Sequence, residues 1–224
     1  MSTILVTTLG GTWQIVPEVF ALTNPGALDL YALHPEKTTL MSARDHYCLQ
    51  PLHEVWVITT CSKEINESLK ALCRWHGLIT APARPALRVW RAAGTDGLSS
   101  AQECDLMSET IFRVVLQAAM RDDSGLPVLS LAGGRKTMSS DMHRAAMAFG
   151  CRALVHVITD DSCQKDLEKL GPEDFIRPLP DNLKSAVTPL VLESHARNTL
   201  VDDKIFKDQA YSFARCELLP ESGN

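Results

Sequence analysis

Several features that would place this 224-residue chain in a specialised class are missing. No apolar run approaches the ~18 residues that a membrane-spanning helix needs, and no secretory signal peptide is recognisable. The formal net charge is −5, which excludes a general basic surface for gripping long nucleic acid. We therefore expect a cytoplasmic protein without membrane or long nucleic-acid partners, in which any phosphate binding is local.

The seven cysteines form no C-x-x-C pair, and their number is odd. We expect them to be reduced thiols, most of them small buried hydrophobes. His46, Cys48 and His53 lie close in sequence, but their spacing matches no standard zinc pattern. The sequence thus predicts neither a metal site nor a cofactor.

The familiar nucleotide-binding motifs are also missing. The pattern G-x-x-x-x-G-K-[ST] is not met, because Arg135 stands directly before Lys136 and residue 130 is not glycine. This disfavours a nucleoside triphosphatase. The first glycine turn lacks the G-x-G-x-x-G spacing, which weakens a dinucleotide or nucleotide-sugar enzyme as an alternative.

What the chain does contain is a regular alternation of β-rich runs and helical patterns. The runs cover residues 2–9, 54–60, 86–91, 128–131 and 153–159, and helical patterns follow them, including one over 63–76 that Gly77 is expected to close. Parallel strands need crossover helices. The sequence therefore predicts an α/β fold, with a Rossmann-like, mainly parallel sheet and helices on both faces.

Two stretches exceed this simple scheme. Residues 24–53 form a longer connection than one crossover needs and are expected to be an insertion: a lid, a dimer arm or an extra hairpin. The domain is expected to span residues 1–170. Residues 171–224, too few for a second catalytic domain, are expected to be a short C-terminal extension that packs on it.

Two glycine turns stand out, each between a strand and a helix. Gly133 and Gly134 are followed by Arg135 and Lys136 at the predicted helix start, an arrangement that suits phosphate. The alternative is an ordinary turn whose two cations are simply solvated. Gly10 and Gly11 form a similar turn after the first strand, and in a parallel sheet both turns belong to the carboxyl edge, where ligands bind.

Three segments resemble a known family. They are Thr-Leu-Gly-Gly-Thr-Trp-Gln-Ile-Val-Pro-Glu at residues 8–18, Val-Trp-Val-Ile-Thr-Thr at 55–60 and Leu-Ala-Gly-Gly-Arg-Lys-Thr-Met-Ser at 131–139. In order and spacing they resemble the CARF domain, the CRISPR-associated Rossmann fold, and in particular its small stand-alone members, the CRISPR-associated ring nucleases. The resemblance spans residues 1 to about 160.

The resemblance implies a homodimer that binds a cyclic oligoadenylate, most often cyclic tetra-adenylate, across its two-fold axis. It implies metal-independent cleavage to linear di-adenylates with a 2′,3′-cyclic phosphate, which switches off type III CRISPR signalling. The residues expected to take part in catalysis are Lys136, Arg135 and Thr12. The expected ligand-binding residues are Gly10, Gly11, Trp13, Gln14, Thr60, Ser62, Asp96, Gly133, Gly134 and Thr137.

The chemistry expected of a ring nuclease follows from its substrate. The ribose 2′-hydroxyl is the nucleophile, so cleavage requires in-line placement and stabilisation of the developing charge. Lys136 is expected to stabilise the phosphate with help from Arg135, and Thr12 to orient the nucleophile. No histidine is obviously placed as a general base, which predicts a slow enzyme that works largely by positioning.

Several alternatives remain open at this stage. Thr12 could cap the first helix, Trp13 could belong to the core or an interface, and Asp96 could hold a turn. The R-x(4–6)-H motif that many ring-activated ribonucleases carry is not found. A non-catalytic sensor or sponge for cyclic oligoadenylate, regulating a partner protein, is the alternative function.

Overall fold

The computed structural model describes residues 3–121 and 125–195, and Cys216 therefore lies outside the described residues. The strands are β1 (Ile4–Thr8), β2 (Glu54–Thr60), β3 (Ala86–Ala92), β4 (Val128–Ser130), β5 (Cys151–Thr159) and β6 (Val187–His195). The helices are α1 (Ile15–Thr23), α2 (Lys37–His46), α3 (Ile65–Leu78), α4 (Ala101–Ala119), α5 (Lys136–Phe149) and the short α6 (Gln164–Leu167), with a 3₁₀ turn at Asp174–Ile176.

The strands form one sheet in the order β3-β2-β1-β4-β5-β6. The first five are parallel, and β6 runs antiparallel to β5. On β1, Leu5 pairs with Val55 on one side and with Val128 on the other. The predicted α/β fold with a mainly parallel, Rossmann-like sheet is confirmed.

Helices cover both faces of this sheet, and each face has its own apolar core. Leu5, Val55 and Val155 pack against helices α1 and α3 on one face. Because successive side chains of a strand point to opposite faces, Val6 and Leu129 pack against helices α4 and α5 on the other. Burial on both sides explains the nearly continuous apolar runs in the sequence.

The insertion after the first helix contains helix α2. The prediction of an extra hairpin is wrong, because residues 24–53 are all described and contain no strand. The Tyr31 hydroxyl donates a 2.9 Å hydrogen bond to the Glu18 carbonyl, and the Tyr47 hydroxyl donates one of 3.3 Å to the Leu192 carbonyl. The insertion therefore covers the outer side of α1 and reaches β6.

The C-terminal stretch supplies β6, which extends the sheet beyond β5. Pro189 lies within this strand, opposite Val157. Proline is tolerated there because an edge strand need not donate every backbone N–H. Residues 196–224 of the expected extension lie outside the described residues.

One predicted helix end is wrong. Gly77 does not close α3, which runs on to Leu78. Trp75 and Ile79 are buried on either side of the glycine, and their packing continues the helix through it. The glycine penalty of about 1 kcal/mol is small beside the burial of a tryptophan.

Candidate functional site

The strand order reverses at β1, which lies between β2 and β4. The chain moves to β2 and β3 on one side of β1 and returns to β4 and β5 on the other. In open α/β sheets this reversal leaves a crevice beyond the carboxyl ends of the two central strands. Both glycine turns of the sequence lie at this crevice.

The two glycine turns contact each other directly. A Cβ atom added to Gly10 would lie 3.2 Å from the Gly134 Cα, so a side chain there would require the two backbones to move apart by a few tenths of an ångström. The Thr8 hydroxyl, at the end of β1, donates a 2.9 Å hydrogen bond to the Gly133 carbonyl. The turns therefore form one ridge, defined here as Gly10, Gly11, Gly133 and Gly134.

Gly133 is also required by its backbone conformation. Its φ is +89°, in the region that L side chains rarely adopt, and an added Cβ would clash with Ile15 and with the Thr8 carbonyl. This backbone turns the chain from β4 into α5. The sequence feature that suggested a phosphate site is thus also a steric requirement of the fold.

The first turn is fixed by neighbouring elements. The Leu9 N–H donates to the Ile58 carbonyl at 2.9 Å, and the Thr59 hydroxyl donates to the Leu9 carbonyl at 2.8 Å. The buried Ser68 hydroxyl, on α3, donates to the Gly11 carbonyl at 2.5 Å. The turn is therefore rigidly placed before any ligand arrives.

The ridge separates two cavities. The first, of about 210 Å³, lies towards the ends of β2 and β3 and is called here the Arg135 cavity. The second, of about 290 Å³, lies towards the end of β5 and is called here the Glu18 cavity. The structure brings most of the predicted site residues to these two cavities.

The Arg135 cavity contains four of the predicted side chains: Thr60, Ser62, Asp96 and Arg135. Arg135 is exposed and precedes the first residue of α5. Its guanidinium extends towards Gly97: a Cβ atom added to Gly97 would lie 3.8 Å from a guanidinium nitrogen of Arg135. An arginine in this position can reach an anion bound over the ridge.

Thr60 is the last residue of β2 and Ser62 follows it, and hydrogen bonds fix the backbone of both in this cavity. Arg91 donates hydrogen bonds to their two carbonyls, at 3.2 Å and 3.0 Å. The Thr60 hydroxyl accepts from the Ser62 N–H, and the Ser62 hydroxyl accepts from the Glu64 N–H. No described residue accepts from either O–H group, so both can donate to a ligand.

Asp96 lies in the turn after β3, where the buried Thr95 holds the backbone by a 2.7 Å hydrogen bond to the Ala92 carbonyl. Asp96 itself is exposed. Among the described residues, no hydrogen bond of its carboxylate supports the alternative that it holds the turn.

Lys136 and Thr137 are the first two residues of α5 and lie outside both cavities. Both are exposed. Within the described part of the chain, no ion pair joins Lys136 or Arg135 to a carboxylate. Two adjacent cations at a helix N-terminus therefore add to the positive end of the helix dipole.

The Glu18 cavity contains the predicted residues Thr12 and Gln14. Thr12 is exposed, and it does not cap α1: the N-cap position is Gln14, and no side chain makes a capping hydrogen bond there. The capping alternative for Thr12 is therefore wrong. Thr12 lines the cavity beside the ridge.

Glu18 also lines this cavity and was not predicted as a site residue. Only 4% of its surface is exposed, and no hydrogen bond or ion pair joins its carboxyl to another described residue. Burial raises its pKa from 4.5 to about 8, so the side chain is a neutral acid at pH 7. A buried, unpaired carboxyl at a cavity wall is a typical sign of a functional site.

A sequence signal for Glu18 does exist. It is the single charged residue of α1, whose nine residues are all buried. A charge within a helix that is apolar all round requires either a partner or a function.

Trp13 is separated from the other predicted ligand-binding residues. Its ring is 7% exposed and packs edge-on against Phe175, with 5.3 Å between ring centroids. The side chain thus belongs to the core between α1 and the 3₁₀ turn. Adenine stacking by Trp13 would require this packing to open.

No group of three or more His, Cys, Asp or Glu side chains among residues 3–121 and 125–195 is placed to hold a metal ion. No helix in these ranges is long and apolar enough to cross a membrane.

Comparison with known proteins gives little further identification. No family model matches the chain, and no curated protein matches its sequence. Among solved structures, the chain is similar to Enterococcus italicus Csm6 bound to cyclic hexa-2′-fluoro-hexa-dAMP, with 14% sequence identity and a TM-score of 0.46. The match covers 95% of this chain and 46% of the Csm6 chain, so this chain spans about half the length of that protein. Likeness of this degree assigns no ligand or activity, and the function is inferred below from the site and the sequence motifs.

Proposed function

We propose that this protein is a ring nuclease that binds cyclic tetra-adenylate and cleaves it without a metal ion, switching off type III CRISPR signalling. The observation that carries the proposal is the contact between the two glycine turns, with Arg135 and Lys136 at the start of α5 beside them. The motif resemblance to CARF ring nucleases supports the same conclusion independently of this geometry.

Phosphate binding is favoured by the local chemistry of the ridge. Glycines leave backbone N–H groups accessible, and the N-terminus of the 14-residue α5 points its dipole at the crevice. Arg135 and Lys136 add two formal charges. A chain with net charge −5 thus concentrates positive charge where an RNA-like ring needs it.

A homodimer is proposed from the symmetry of the ligand. One protomer offers one ridge and two cations, Arg135 and Lys136. A cyclic tetranucleotide carries four phosphates, so one protomer matches half of the ring. Two copies related by a two-fold axis would enclose the ring with identical half-sites.

Cleavage would use the substrate's own nucleophile. A ribose 2′-oxygen attacks the adjacent phosphorus, and the bond from phosphorus to the 5′-oxygen breaks. The products are a 2′,3′-cyclic phosphate and a 5′-hydroxyl. The proton of the 2′-hydroxyl passes to solvent, and solvent protonates the leaving 5′-oxygen. Lys136 and Arg135 would stabilise the charge developing on the phosphate, and Thr12 would orient the 2′-hydroxyl. Two such cuts yield two linear di-adenylates.

No histidine lines either cavity within the described residues. Catalysis by positioning alone is therefore expected to be slow, because general acid–base catalysis typically contributes a further factor of ~10²–10⁴.

The test is incubation of the purified protein with cyclic tetra-adenylate in EDTA, followed by chromatography of the products. We expect linear di-adenylate with a 2′,3′-cyclic phosphate. Lys136→Ala should slow its formation about 100-fold, as expected for loss of a charge-stabilising group. Lys70→Ala is the matched control, since Lys70 is exposed, lies outside both cavities and only pairs with Glu67 on the surface.

The outcomes separate the proposed activity from its alternative. Tight binding of a ring that stays intact would overturn the nuclease proposal and favour the sensor or sponge. Cleavage that EDTA abolishes would overturn the metal-independent mechanism. Absence of any binding would overturn both functions.

A further inference from the structure

The Glu18 cavity differs chemically from the rest of the site. No lysine or arginine is among the described residues that line it, whereas Arg135 lines the other cavity. Its ionisable lining side chains are Glu18 and Glu168. Away from the ridge this cavity therefore offers a phosphate no cation, so the part of a nucleotide that suits its interior is the uncharged base.

The size and lining of the cavity also suit a base. At about 290 Å³ it is near the lower end of ligand pockets, ~300 Å³, which leaves room for one heterocycle. Ile15 and Leu167 provide apolar contact, while Gln14 and Glu18 provide polar groups. Apolar walls with few convergent polar groups are the usual composition of a small-molecule site.

Gln14 and Glu18 are presented together by the backbone. They are four residues apart at the start of α1, and the Glu18 N–H donates to the Gln14 carbonyl at 3.1 Å. Residues at this spacing lie on the same face of a helix, one turn apart. Both side chains are more than nine-tenths buried, so the amide and the carboxyl meet a ligand away from bulk water.

A neutral carboxylic acid has the hydrogen-bonding pattern that complements adenine. Adenine offers the N7 acceptor and the N6 amino donor along one edge, and an acid can donate to the first and accept from the second. Asn and Gln recognise adenine in DNA through the same pair of contacts. Along this same N7 edge hypoxanthine, the base of inosine, has acceptors at both N7 and O6, so the carbonyl oxygen of the acid would meet no donor there.

We propose that the carboxyl of Glu18, with Gln14 beside it, recognises an adenine base in this cavity and so selects adenylate over other purine nucleotides. The inference rests on the proposed function, because it takes the cyclic oligoadenylate of that proposal as its ligand. It adds a specificity-determining residue that the glycine turns and the cations do not supply, since phosphate contacts are the same for every base.

The ionisation of Glu18 depends on few neighbours. Of the cavity's titratable groups, Glu168 is the other one, and it is exposed. On the insertion, Tyr31 contacts the Glu18 carbonyl, and burial together with the charge of Glu18 raises the pKa of Tyr31 well above its usual value. His34 packs edge-on against Tyr31, and burial lowers its pKa. Tyr31 and His34 are neutral near pH 7 and Glu168 is exposed, which leaves burial as the dominant effect on the pKa of Glu18.

The experiment is calorimetric titration of cyclic tetra-adenylate and of cyclic tetra-inosinate into the wild-type protein, Glu18→Ala, Glu18→Gln and the control Glu67→Gln at pH 7; Glu67 is exposed and lies outside both cavities. We expect the wild type to prefer the adenylate ring by about 10-fold or more, the discrimination typical of one bidentate base contact. Glu18→Ala should lose this preference. Glu18→Gln, which keeps a donor and an acceptor, should keep most of it, and Glu67→Gln should leave it unchanged.

A second measurement uses pH. Adenylate binding by the wild type should weaken between pH 7 and pH 9.5, as the acid loses the proton that it donates, while binding by Glu18→Gln should change less. Circular dichroism verifies that each variant is folded.

The outcomes distinguish the two proposals. A wild type that binds neither ring overturns the proposed function and this inference with it. A wild type that binds both rings equally, or a preference that survives Glu18→Ala in a folded protein, overturns this inference alone.

Discussion

Two buried glutamates at opposite edges of the sheet have opposite environments. Glu54 begins β2 at the amino edge and is 7% exposed, while Glu18 lies by the carboxyl edge and is 4% exposed. Glu54 accepts hydrogen bonds from Trp56 at 2.8 Å and from Arg88 at 2.7 Å, and a third from Arg121. Glu18 has none of these partners.

The pKa values follow from the partners. Burial raises the pKa of both carboxyls, but at Glu54 the hydrogen bonds from Trp56, Arg121 and Arg88 outweigh burial and hold the pKa below its usual range. At Glu18 burial acts alone and raises the pKa to about 8. The comparison teaches that similar burial can give a structural carboxylate at one edge and a neutral acid, available to a ligand, at the other.

The largest expected effect is on the pH dependence of stability. In the folded protein Glu18 keeps its proton up to about pH 8, whereas in the unfolded chain it ionises near 4.5, so the free energy of unfolding falls as pH rises through this window. Each unit of difference between the folded and unfolded pKa corresponds to about 1.4 kcal/mol in the free energy of unfolding. Glu18→Gln cannot ionise and should gain on the order of 3 kcal/mol over wild type between pH 5 and pH 8. Urea unfolding at pH 5, 6.5 and 8 measures this, and parallel profiles for the two proteins would refute it.

Replacing Glu54, at the amino edge of the sheet, should change the free energy of unfolding by a smaller amount and with the opposite sign. Glu54→Gln removes the carboxylate charge that accepts from Arg88 and Arg121 and should lower the free energy of unfolding by about 2 kcal/mol at pH 7, since both arginines remain partly in water. Because the pKa of Glu54 is lowered, its contribution is present at neutral pH and lost in acid. The gap from wild type should therefore close as pH falls. The exposed Glu67→Gln is the control, and a gap that does not narrow between pH 7 and pH 3 would contradict this account.

The smallest effect tests whether the insertion influences Glu18. Tyr31→Phe removes the hydroxyl that donates to the Glu18 carbonyl and should cost about 1 kcal/mol, the typical worth of one hydrogen bond. The carboxyl keeps its burial, so the pH slope assigned to Glu18 should be unchanged. A variant that loses this slope would show that Tyr31, rather than burial, determines the ionisation of Glu18.

Much of the fold was predictable because its determinants are local. The apolar runs of β1, β2 and β4 and the glycines that end them have few conformational alternatives, and a parallel sheet brings such turns to one edge. The positions of Gly10, Gly133 and Arg135 at one crevice follow directly. Their predicted roles with a ligand stay predictions.

The unpaired state of Glu18 and the pairing of β6 were not predictable in the same way, because tertiary packing determines them. The outer side of α1 is covered by the insertion, and only that cover turns Glu18 into an unpaired buried carboxyl. In β6, Pro189 weakens the strand pattern, and pairing with β5 overrides it. Trp13 is a similar case, since its partner Phe175 comes from the opposite end of the chain.

The hydrogen bond from Thr8 to Gly133 has a consequence for the order in which the molecule is made. It joins groups 125 residues apart in sequence. During synthesis the first glycine turn emerges long before the second, and closing so long a loop carries a large entropic cost. We therefore expect β1, β2 and β3 to associate with their helices before β4 and the second glycine turn are present to complete the crevice. The site would then be completed after β4 is inserted beside β1.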